Sequence, residues 1–258
     1  YFESMGEKGA IAMSSQPGQR KVDVENPQLG SSNSWANSEV SVTKRNICVT
    51  IVDLVNHILI VSLTLFTLCY YTLGPSVSQI HATLCTLGYI LMMSEAIVVF
   101  AGDGVLTNFL THRAKKHLHW VLQTLGLVLV IAGVVHMYLA KDSNPRSHHF
   151  KSYHAILGIT SLVVMVFLTV AGYPVFVAAK LRQVVRPVVI KFGHNFLGIS
   201  CFVIGMASQC LGYEMYRSMN TPSVNVTMIC IIVCVAITLL SVRKALPSLV
   251  QQSVKLFR

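Results

Sequence analysis

Charge is what this sequence has least of. Only 12% of its 258 residues are Asp, Glu, Lys or Arg, where a soluble domain carries about 25%, and that deficit excludes an ordinary water-soluble globule. Acidic residues are the scarcer sign, 10 against 20 Lys and Arg. The central halves of the second to fifth apolar runs hold almost none, which counts against a carboxylate-lined ion pathway. Seven cysteines (Cys48, Cys69, Cys85, Cys201, Cys210, Cys230 and Cys234) all fall in apolar stretches, with no C-x-x-C pair. A disulfide framework is therefore not indicated, and the cysteines read as small buried hydrophobes. What the chain does have is apolar surface, 53% of residues, with a mean hydropathy of +0.60. Its net charge of +10 would suggest nucleic acid in a soluble protein. Here the basic residues sit in short connections between apolar runs, so membrane topology accounts for them and no nucleic-acid partner is expected.

Runs long enough to cross about 30 Å of hydrocarbon occupy 48–73, 80–101, 117–140, 153–178, 192–213 and 224–246. The predicted fold class is an all-α integral membrane protein of six transmembrane helices, with neighbours antiparallel because the connections are short. Residues 1–45 are polar, rich in Ser, Asn, Gly and Pro, and read as a disordered tail with no secretory apolar region. Residues 46–247 form the six-helix domain and 248–258 a C-terminal tail. One set of flanks carries 13 Lys and Arg (Lys44, Arg45, Arg113, Lys115, Lys116, Lys180, Arg182, Arg186, Lys191, Arg243, Lys244, Lys255, Arg258), and the other carries 4 (Lys141, Arg146, Lys151, Arg217). The positive-inside rule then puts both termini in the cytoplasm. The expected membrane is the endoplasmic reticulum or another endomembrane or vesicle in preference to the plasma membrane.

On this topology four histidines sort into two layers. His81 and His154 begin the second and fourth helices near the outer face; His119 and His194 begin the third and fifth near the inner face. A pair of imidazoles from facing helices is what a six-coordinate haem iron needs. Helices two to five are therefore expected to form a four-helix bundle around two b haems. One and two turns beyond the histidines stand Cys85, Gln123, Gly158 and Gly198, then Gly88, Gly126, Ser161 and Cys201. All but Gln123 are small and leave room for a flat macrocycle. The layers should lie roughly 20–25 Å apart. The competing reading is a histidine-bearing divalent-metal transporter without haem, and a third is a haem-binding scaffold without turnover.

Histidines at intervals of 38, 35 and 40, with "HWVLQ" at 119–123 and "SEAIVVF" at 94–100, resemble the cytochrome b-561 family of transmembrane ascorbate-dependent reductases, above all its single-domain members. The resemblance covers about 48–246. It implies six helices, often a homodimer, two non-covalent b haems, cytoplasmic ascorbate as donor, and monodehydroascorbate or a ferric chelate as lumenal acceptor. Arg113, Lys115, Lys116 and His117 precede His119, and Arg186 and Lys191 precede His194; all suit an anion such as ascorbate, and positive-inside charge alone accounts for them equally. Where family members carry a lysine two residues before the inner ligand, this chain has His117, an imidazole suited to assisting proton removal. On the outer side His136 falls at an acceptor-site position by resemblance, with His148 and His149 nearby. Elsewhere, Glu95 is expected to pair with a cation of the third helix or a loop, and His57 with Asp53 one turn away.

Overall fold

Helix starts are where capping chemistry, rather than hydropathy, draws the boundaries. The computed structural model describes residues 32–71, 76–100, 107, 109–143, 149–176, 185–220, 223–243 and 245–257. Its helices are α1 (Ser32–Tyr71), α2 (Val77–Val98), α3 (His112–Asp142), α4 (Tyr153–Phe176), α5 (Pro187–Asn220), α6 (Val224–Val242) and α7 (Ala245–Leu256). The protein is an all-α, multi-pass membrane protein: α2, α3 and α6 over their whole length, and stretches of α1, α4 and α5, are long and apolar enough to cross a bilayer. Residues from Lys44 onward form one compact unit. Helix α1 is regular from Ser32, ahead of the boundary at residue 46 read from hydropathy, and residues 1–31 lie outside the described residues.

Ser76 caps α2 in a capping box with Gln79, so His81 stands in the second turn. Thr111 caps α3, its Oγ1 accepting from the amide of Ala114 at 3.2 Å. Pro187 occupies the first position of α5, where its missing N–H costs nothing. Both helices therefore begin five residues before the apolar runs do, and His119 and His194 each lie about two turns inside their helix. We call the end where α3 and α5 begin the basic end, and the other the opposite end.

Helix α2 is not uniform. Thr86–Met93 form a π-turn, a wider coil that accommodates an extra residue, and the Ser94 hydroxyl donates to the Tyr89 carbonyl at 3.4 Å. Tyr89, at the middle of the π-turn, is buried against Gly205 of α5, where a Cβ would lie 2.3 Å from the Tyr89 ring. Only glycine admits the ring there. Gly88 and Gly126 let α2 and α3 touch backbone to backbone, since a Cβ on Gly88 would meet Val130 at 2.5 Å and the Gly126 carbonyl at 3.0 Å. The space expected at these two positions for a macrocycle is filled by helix packing.

Tyr89, Ile90, Phe202, Met206, Ile60 and Ile237 form the core. Val128, Val163, Phe167, Val170, Ile232 and Leu239 face outward, an apolar belt that hydrocarbon solvates and water would not. Helix α1 is tied to its neighbours by polar groups. Arg243 of α6's C-terminus ion-pairs with Asp53, Asn56 donates to Ser241 at 3.1 Å, and Thr67 bonds the Tyr213 hydroxyl at 2.7 Å. Glu95 takes His57 as its partner at 2.8 Å, not a cation of α3 or a loop. Inside a bilayer a polar side chain gains most from a group on a facing helix, and such cross-helix pairs win over neighbours on the same helix.

Candidate functional site

The four histidines meet in two pairs, as their topology requires. His81 of α2 faces His154 of α4 at the opposite end, ring centres 6.0 Å apart and planes at 87°. His119 of α3 faces His194 of α5 at the basic end, 6.5 Å apart at 67°. Backbone carbonyls fix three of the four rings. The Nδ1–H of His81 donates to Gly133 at 2.9 Å, that of His119 to Ala96 at 2.7 Å, and that of His154 to Ser208 at 2.8 Å. A carbonyl only accepts, so Nδ1 carries the proton in each and Nε2 is left with a bare lone pair, the form in which imidazole binds a metal. His194 differs: its Nδ1 is buried with no hydrogen-bond partner among the described residues.

These bonds share a register. Gly133 stands fourteen residues after His119 on α3, and Ser208 fourteen after His194 on α5. Each helix thus offers a histidine to one layer and a carbonyl to the other, roughly 21 Å away. On α2 the histidine, His81, and the carbonyl that α2 offers to His119, that of Ala96, are fifteen apart, the additional residue being taken up by the π-turn.

The residues fit a haem at each pair. Ring centres 6.0 and 6.5 Å apart would leave room for a metal ion held by both imidazoles of a pair at about 2 Å. Space is present beside the ligands. At the basic end nothing lies within 4 Å of a Cβ built on Gly198, one turn beyond His194. A cleft lined by His81, Cys85, Thr67, His154, Gly212 and Tyr216 opens beside the opposite pair, with Gly212 leaving 3.2 Å between a built Cβ and the His154 ring. Among the described residues the metal-capable side chains do not gather in groups of three or more, so the arrangement is of facing pairs.

Arg113, Lys116 and His117 line one shallow cleft at the basic end together with His112, which sequence reasoning did not single out although it shares their helical turn. All sit on the first turns of α3, where unpaired amides already favour an anion. Lys115 is buried and does not line that cleft. Arg186 donates to the Lys255 carbonyl at 3.2 Å and Lys191 is exposed on α5; neither lines it. At the opposite end the His136 Nε2 is buried without a partner among the described residues. His149 stacks on Tyr138 at 4.3 Å and lies 3.9 Å from Asp142. His148 lies outside the described residues. Sequence reasoning also missed the three carbonyls, because a backbone acceptor leaves no mark in the residue type.

The chain is 26% identical over 156 residues to transmembrane reductase CYB561D2 of Homo sapiens, covering 60% of this chain and 69% of that protein, and to the Bos taurus protein of the same name over the same extent. It is 27% identical over 137 residues to ascorbate-specific transmembrane electron transporter 2 of Zea mays, covering 52% and 55%. The Eukaryotic cytochrome b561 family profile matches residues 80–219, more than half of the chain and inclusive of all four paired histidines, and the chain belongs to the cytochrome b561 family.

Proposed function

We propose that this membrane oxidoreductase moves single electrons across its bilayer, from ascorbate at the basic, cytoplasmic end to monodehydroascorbate or a ferric chelate at the opposite, lumenal end, with two haem b as resident cofactors. The observation that carries the reading is the pair of histidine pairs, 6.0 and 6.5 Å between ring centres, with three imidazoles locked by carbonyls into the metal-binding tautomer. His81 and His154 would hold one haem, and His119 and His194 the other. When bound, each haem supplies a one-electron couple in a medium that excludes ions.

The protein's own residues do the rest. Arg113 and Lys116 attract the ascorbate monoanion and orient it at the start of α3. His117, in the same cleft, accepts at a ring nitrogen the proton that ascorbate loses with its electron. Gly133, Ala96 and Ser208 hold the imidazoles against rotation and raise their basicity. The apolar belt and close-packed core keep water from the space between the layers. At the opposite end His136 and His149 are the side chains offered to the acceptor.

The test is a reduced-minus-oxidised visible spectrum of the purified chain titrated with ascorbate. The expected result is a b-type band at two haems per chain, reduced in two phases. A flat spectrum from folded protein overturns the reading and leaves transport of divalent metal through the same histidines.

A further inference from the structure

Helix α7 presents three different faces, and among the described residues only one of them meets protein. Ala245, Leu249, Gln252 and Leu256 are half-buried, and Gln252 accepts from Asn195 of α5 at 3.0 Å. Around the helix from that face, Leu246, Val250, Val254 and Phe257 are exposed at 44%, 60%, 47% and 85%. Their spacing of four, four and three places them in a single stripe. The remaining arc is polar and exposed: Ser248, Gln251 and Lys255. A helix on a soluble surface has a protein face and a water face. One with a third, apolar face sits where protein, water and hydrocarbon meet.

We propose that α7 is an interfacial helix, its Leu246–Val250–Val254–Phe257 stripe seated in the acyl region of the adjoining leaflet, with acidic phospholipid headgroups against its basic flanks. Continuity names the occupant. Helix α6 ends at Val242 and α7 starts at Ala245, so about 14 Å of chain at most separates the stripe's first residue, Leu246, from the end of a membrane span. No soluble domain has room to intervene. Charge names the lipid class: beyond Arg243, which pairs with Asp53, the chain from 244 to 258 carries Lys244, Lys255 and Arg258 and no acidic residue, which favours anionic headgroups. The proposal does not depend on what the histidine pairs hold.

The experiment uses the full chain with one environment-sensitive fluorescent amino acid at 250, 251 or 249, in nanodiscs of phosphatidylcholine and phosphatidylserine holding one chain each. Nitroxides on lipid acyl chains and aqueous iodide serve as opposing quenchers. The label at 250 is expected to be quenched several-fold more by nitroxide than by iodide, the label at 251 in the reverse order, and the label at 249 weakly by both. Omitting phosphatidylserine should lower nitroxide quenching at 250. Equal iodide quenching at 250 and 251 would show a helix standing off in water and overturn the proposal. Shielding of 250 from both quenchers would show a protein surface on the stripe and overturn it equally. Unchanged quenching without phosphatidylserine would overturn the assignment of acidic lipid. Unaltered helicity checks that each labelled chain is folded.

Discussion

His57 and Glu95 form a cross-helix ion pair within the spans, 2.8 Å apart with side chains 8% and 21% exposed, and their removal should be strongly non-additive. Replacing His57 by Leu strands a carboxylate in a low-dielectric site. Breaking a buried pair this way costs about 3–5 kcal/mol, and the partial exposure of Glu95 places the expected cost near the lower figure. Replacing Glu95 by Met leaves the imidazole without its partner, and an unpaired buried polar group costs about 1–3 kcal/mol. The double variant His57→Leu/Glu95→Met leaves no buried polar group and about the same volume, so it should lie within about 1 kcal/mol of the parent. The coupling expected from the cycle is then at least about 3 kcal/mol. Reversible unfolding in mixed detergent micelles, followed by helicity, measures all four corners. Single costs that add to within about 0.5 kcal/mol would refute the reasoning, because they would mean each group finds water or another partner when left alone. A spectroscopic companion comes from the next residue. Since Ala96 holds the His119 ring, the single variants should broaden the basic-end haem signal and leave the opposite-end signal unchanged.

Three further outcomes are expected. His154→Ala should lose the opposite-end haem and keep the basic-end one, read as a halving of haem per chain by pyridine haemochrome; loss of both or neither contradicts the pairing. Gly205→Ala sets a Cβ into the Tyr89 ring and should cost about 1–3 kcal/mol in the same unfolding assay, with Gly205→Ala/Tyr89→Leu recovering most of it. Arg113→Ala/Lys116→Ala should raise the KM for ascorbate several-fold and flatten its dependence on salt, while Lys115→Ala, from a residue outside the cleft, should leave that salt dependence as it is.

The hydropathy runs and the four histidines made most of the architecture legible, because bilayer thickness and ligand pairing each act on residue type and position along the chain. Helix starts are less legible from hydropathy: Thr111 is a cap and Pro187 a first-turn residue, but both lie outside the apolar runs. Gly88 and Gly126 resemble open space in a sequence, yet glycine equally permits a neighbouring helix to fill that space, and only the packed structure decides. The partners of Asp53, His57 and Glu95 depend on which helices adjoin α1, a three-dimensional fact that spacing does not carry. Lys115 shows the same limit at the basic end. Four consecutive positions on a helix point in four directions, so a run of cations read as one patch resolves into a cleft and a buried side chain.

The π-turn of α2 bears on how the chain tolerates changes in length. A residue deleted from the regular coil of α3 between His119 and Gly133 would swing everything beyond it by about 100° and carry the carbonyl off its histidine. The same deletion within Thr86–Met93 removes the residue that the wider coil was storing. Helix α2 would close to a regular α-helix with a spacing of fourteen, matching α3 and α5, and His81 and Ala96 would keep their bearings. Insertions and deletions are thus unequal events in this bundle: α2 holds one residue of slack, and its paired helices hold none.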